Sequence, residues 1–108
     1  MTMLKQLMDY DKLFLDRFSS VVVDVTDQVI LVPEPRRVYL AFVYISGGSC
    51  RILPSNPATL SVGFNLVAPN TSFEFYIEKD KRLTTRGWNG IANAAPSTIW
   101  IAEVLFRG

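Results

Sequence analysis

Histidine is missing from this 108-residue chain, and cysteine occurs once, as Cys50. Without histidine there is no Ser-His or Cys-His pair to activate a nucleophile. There is also no Cys/His set with zinc-ligand spacing, and no Asp-rich loop for calcium. One thiol cannot close an internal disulfide. Charge is scarce as well: Asp, Glu, Lys and Arg make up 19% of the residues, below the roughly 25% of an ordinary soluble domain. Eleven basic and ten acidic residues leave a formal net charge of +1, so no strong field draws the chain to nucleic acid. No apolar run approaches about 18 residues, so no spanning helix and no membrane partner are expected. Met1–Leu7 lacks the long apolar core and cleavage site of a secretion signal. A lone thiol fits synthesis in the cytoplasm. No catalytic residue, cofactor or metal is expected, and the chain reads as non-enzymatic.

What the chain does have is apolar surface: 49% of its residues are hydrophobic. Its length fits one domain, which buries about two thirds of its unfolded surface. Residues 3–18 read as an amphipathic helix, with Leu4, Leu7, Met8, Phe14, Leu15 and Phe18 on one stripe. Lys5/Asp9 and Lys12/Asp16 pair four apart on the other side. This helix either caps the domain's own core or docks on a neighbouring subunit. Residues 1–18 are therefore an N-terminal helix or arm, and 19–108 a β-domain.

From Ser20 the pattern changes to short apolar runs broken by Gly, Pro, Asn and Ser. Val21, Val23 and Val25 alternate with polar neighbours, and Val29–Val32 is a short buried run ended by Pro33-Glu34-Pro35. Val38–Ile45 is the strongest strand, and Ser46-Gly47-Gly48-Ser49 reads as a tight hairpin turn into Cys50 and Ile52. Leu60–Val62, Leu66–Ala68, Phe73–Ile77, Trp88–Ala94 and Thr98–Phe106 follow, the last two joined by Ala95-Pro96-Ser97. About eight short strands with frequent turns predict an all-β fold, an antiparallel β-sandwich or jelly roll preceded by the helix. A small OB-type barrel is the alternative.

Two strands break the rule that a sandwich strand shows one face to the core and one to water. In residues 38–45 both the even set (Val38, Leu40, Phe42, Tyr44) and the odd set (Tyr39, Ala41, Val43, Ile45) are apolar. In the last strand Ile99, Ile101 and Leu105 lie on one side, and Trp100, Ala102, Val104 and Phe106 on the other. Thr98 and Glu103 are its polar members. A partner must cover the second faces, so a homo-oligomer is expected, with Tyr39, Tyr44, Trp100 and Phe106 as interface candidates.

Other residue groups read as structural. Asp24/Asp27 and Glu74/Glu78 are close in sequence but read as solvated or capping carboxylates. Gly87-Trp88-Asn89-Gly90 lacks the Gly-Lys-Ser/Thr ending of a phosphate loop. Trp88 is a possible sugar-stacking platform and therefore the one ligand candidate; against this, a Trp beside glycines usually packs at a strand start. Lys79, Lys81, Arg82 and Arg86 with Trp88 are the parts of a single-strand nucleic-acid site, but Glu78 and Asp80 cancel much of their field.

From Arg37 onward the chain resembles small virion proteins of tailed bacteriophages. The likeness lies in Arg37–Phe42, in the run Gly63–Phe75 with its Pro69-Asn70 where such proteins usually have Pro-Gly, and in Trp88–Val104. That resemblance implies a capsid decoration (cement) protein, a head fibre or a tail domain. It favours a homotrimer, the major capsid protein as partner, and location in the virion after assembly in the host cytoplasm. The rival functions are a tail or fibre carbohydrate- or receptor-binding module, marked by Trp88, and an OB-like single-stranded nucleic-acid binder.

Overall fold

A computed structural model describes residues 13–54, 63–66, 71–80 and 82–107. The elements in chain order are β1 (Phe14–Val23), β2 (Gln28–Leu31), β3 (Arg37–Gly47), β4 (Cys50–Pro54), β5 (Phe64–Leu66) and β6 (Ser72–Tyr76). Two single-turn helices follow, α1 (Ile77–Asp80) and α2 (Arg82–Thr85), then β7 (Trp88–Ala92) and β8 (Ser97–Phe106). The strands form two antiparallel four-stranded sheets, ordered β1-β8-β3-β6 and β2-β7-β4-β5. These two orders are those of an eight-stranded jelly roll, in which each sheet takes strands from both halves of the chain. The expected all-β sandwich is therefore what forms, as two separate sheets and not one closed OB-type barrel.

The core lies between the sheets. Leu40, Phe42 and Tyr44 of β3, Ile99 and Ile101 of β8, and Phe75 of β6 face Ile30, Ile52, Leu66 and Trp88 of the second sheet. Period-two alternation puts them there. Trp88 is its hub: it is fully buried, with ring centroids 4.9 Å from Phe42 and 5.1 Å from Phe75. Its indole N–H donates to the Leu83 carbonyl at 3.1 Å.

Three local expectations are corrected. Phe14, Leu15 and Phe18 are not on a helix; they lie in β1, paired with β8 over ten residues from Phe14↔Phe106 to Val23↔Ser97. Residues four apart share a face in a strand as well as in a helix, so the Phe14/Phe18 spacing cannot tell the two apart. Long-range pairing then overrides local helix propensity. β1 thus runs across residue 18, and Leu4, Leu7 and Met8 lie outside the described residues.

The second correction concerns the turns. Ser46–Ser49 does not close a hairpin, because β3 pairs with β6 and β8 while β4 pairs with β5 and β7. The segment carries the chain from one sheet to the other. It packs on the matching β7–β8 crossover: Gly48 N–H donates to Pro96 O at 3.1 Å, and Asn93 N–H to Ser49 O at 2.8 Å. Gly47 has φ +92°, and a Cβ there would run into the Pro96 carbonyl oxygen. Third, the strand run Phe73–Ile77 ends at Tyr76, and Ile77 opens α1.

One end of the core is held by charge. Arg37 is fully buried, and its Nε donates to Glu103 Oε2 at 2.7 Å. Its Nη1 donates to Thr84 O (3.2 Å) and Arg86 O (3.0 Å), and its Nη2 to Val32 O (3.0 Å). Arg17 of β1 reaches Glu103 with two further bonds of 3.2 and 3.0 Å. This cluster ties the 32–36 loop and the α2–β7 connection to the central strands.

Candidate functional site

The outer face of the β1-β8-β3-β6 sheet follows from alternation. On β8, Ser97, Ile99, Ile101, Glu103 and Leu105 point inward and are buried. Trp100, Ala102, Val104 and Phe106 therefore point outward. The register sets the rows across the sheet: Asp16, Val104, Tyr39 and Tyr76; then Phe18, Ala102, Ala41 and Glu74; then Ser20, Trp100, Val43 and Ser72. In these rows the two central strands contribute only apolar residues and Tyr39. Both carboxylates, Asp16 and Glu74, sit on the edge strands.

Much of this apolar surface is open. Phe18 is 76% exposed, Val22 60%, Trp100 58% and Tyr76 47%. A groove of about 460 Å³ runs along Phe18, Ser19, Ser20, Val43, Trp100, Ile101 and Ala102. A second, of about 690 Å³, is lined at the other end of the face by Tyr39, Tyr76, Val104, Phe106 and neighbours from β1 and α1.

The β6 rim of the face carries a polar cluster. The Tyr39 and Tyr76 rings meet at 5.1 Å, tilted by 60°, and both hydroxyls donate to Glu74 Oε2, at 2.8 and 2.9 Å. These bonds, that of Tyr39 first, hold the Glu74 carboxyl below the usual carboxylate range. Desolvation first, and then the bond to Glu74, push the Tyr39 phenol up to about 12. The bond to Glu74 is the main cause that raises the Tyr76 phenol.

The sequence-derived candidates divide as follows. Tyr39, Trp100, Phe106, Phe14 and Phe18 come together on this outer face. Leu15 lies on the opposite side of β1, level with Leu105. Tyr44 is corrected: it faces the core with Leu40 and Phe42, is 9% exposed, and donates to Gly47 O at 2.6 Å. Trp88 is corrected as a ligand platform, because the core hub is 0% exposed and offers no ring face. Its burial also leaves the Lys79, Arg82 and Arg86 cluster without that stacking ring. Asp24 accepts the Val25 N–H at 2.7 Å and Asp27 accepts the Asn89 amide at 3.1 Å. Among the described residues no group of three or more His, Cys, Asp or Glu is placed to hold a metal ion. Cys50 is 1% exposed, and burial pushes its thiol pKa up.

Sequence reasoning missed the Arg37–Glu103–Arg17 cluster. The signal was present: Glu103 has core parity with Ile99, Ile101 and Leu105, and an inward carboxylate requires a buried cation.

The sequence matches no family model and no curated protein. Among solved structures the chain is similar to a protein from work describing Bacillus endospore appendages as a novel family of disulfide-linked pili. The TM-score is 0.55 at 9% identity, over 89% of this chain and 90% of that one. At that identity the two share a fold.

Proposed function

We propose that the protein is a non-enzymatic structural subunit of a protein assembly, acting by adhesion through the outer face of the β1-β8-β3-β6 sheet. The observation that carries this reading is the open apolar surface around Phe18 and Trp100, at 76% and 58% exposure. With about 150–250 Å² per aromatic side chain, those two leave roughly 300 Å² in water. At about 25 cal/mol per Å² that is on the order of 7 kcal/mol of burial not realised in the single chain, within the range of a domain's whole stability. An apolar centre with carboxylates at its edges has the anatomy of a protein interface.

The finer reading is capsid decoration in a phage virion. Copies, as trimers by the family resemblance, sit over junctions between major capsid protein subunits and resist their separation. A filament subunit is the second reading, favoured by the fold shared with the endospore-appendage protein. Disulfide linking does not transfer with it, since the one cysteine is buried.

Co-sedimentation with DNA-filled heads, together with electron microscopy of the purified protein, tests both. Binding to heads that Trp100→Glu abolishes supports decoration, and unaided filaments support the second reading. Specific glycan binding lost on Tyr76→Ala, or salt-dependent oligonucleotide binding by the folded protein, would replace both.

A further inference from the structure

We propose that the occupant of this face is a second copy of the same chain, packed sheet to sheet about a two-fold axis, with Trp100 of each copy inserted into a slot on the other. This rests on the reading above that the face is adhesive, and it puts a second copy where that reading put the trimer and the capsid junction.

The slot is built by the register. Phe18 lies opposite Ala102, and Trp100 lies opposite Ser20, so the two rings stand at diagonal positions. Diagonal neighbours are about 7–8 Å apart, which leaves room for one flat ring between them. The floor is made of small side chains, Ser20 and Ala102, within the groove of about 460 Å³. The face therefore carries both a projecting ring and a ring-sized recess beside it. A two-fold axis brings each projection to the other copy's recess, because residue i meets j while j meets i.

Area and charge agree with this occupant. At about 3.3 Å per residue and 4.8 Å between strands, four strands of up to ten residues present roughly 500–600 Å². Two copies then bury about 1,100 Å², above the roughly 1,000 Å² a biological interface needs and in the range of a reversible one. The rows that meet have no charge on the central strands, and Asp16 and Glu74 lie at the edges, where water reaches them. A sheet face of this kind is shared by two copies, packed about 10 Å apart as in a sandwich.

Sedimentation of the purified full chain between about 0.1 and 100 µM tests the proposal. The expected result is a monomer–dimer equilibrium, with tryptophan emission shifting to shorter wavelength as Trp100 is covered. Trp100→Glu and Ala102→Phe, the second of which fills the slot, are each expected to raise the dissociation constant at least about 100-fold with an unchanged far-ultraviolet spectrum. A wild type that stays monomeric to about 100 µM overturns the second copy as occupant. If that monomer binds heads or filaments through Trp100, the docking reading survives; if it binds neither, both readings fall. A dimer indifferent to both substitutions places the interface elsewhere, and a trimer overturns the two-fold axis.

Discussion

Arg37 and Glu103 illustrate how much one residue pair decides. Three neutral carbonyls and one carboxylate satisfy the guanidinium, so removing the charge of Glu103 leaves a buried cation, and removing Arg37 leaves three carbonyls without their donor and the buried carboxylate with only the half-exposed Arg17 of its two cations. Arg37→Ala is expected to cost about 3–5 kcal/mol in urea unfolding. Arg17→Ala, whose side chain is 46% exposed, is expected to cost less than about 1 kcal/mol. Equal losses for the two would disprove this division of labour. The Tyr39–Glu74–Tyr76 cluster gives a pH signature. Glu74 has a depressed folded-state pKa. Its contribution is therefore full above about pH 4.3 and is lost as pH falls through the folded value. Tyr39 is raised to about 12, so its contribution is full below about pH 10 and lost as pH rises through 12. Urea midpoints measured across pH should show both limbs flattened in the Tyr39→Phe/Tyr76→Phe double variant.

Among the elements, two of the sheet-to-sheet crossovers are in direct contact. The β3–β4 and β7–β8 segments brace each other, and Gly47 sits at φ +92° against the Pro96 carbonyl. Gly47→Ala combines positive-φ strain with a steric clash, and a loss of more than about 1 kcal/mol is expected in thermal or chemical unfolding. A neutral result would mean that the crossover has slack. Turn residues in the sequence marked where the chain reverses. They did not mark which sheet it enters next, because Gly and Pro report local φ and the next strand's partner is chosen by distant residues.

For the whole molecule the decisive feature is a core closed around Trp88 together with a second apolar face left open. Trp88→Ala is expected to cost about 3–5 kcal/mol by denaturant unfolding. Cys50 should resist thiol reagents under native conditions, and a non-reducing gel should show no covalent ladder; rapid labelling would mean the crossover end opens. Much of this was legible beforehand. The strand alternation, the sandwich class and the two-sided apolar strands 38–45 and 98–106 follow from residue order alone. The facing of Tyr44 and Trp88 was not, because an aromatic side chain fits a core and an interface equally well.

Residue order by itself determined that the chain would form β-strands and would carry more apolar surface than one small sandwich encloses, because side-chain parity along a strand is local geometry. Only the tertiary structure decided which apolar face is core and which is open. It also decided that residues 14–18 extend a strand, and that Arg37 meets Glu103 across 66 positions of chain. Those outcomes depend on register between strands far apart in sequence, and no local pattern encodes the partner.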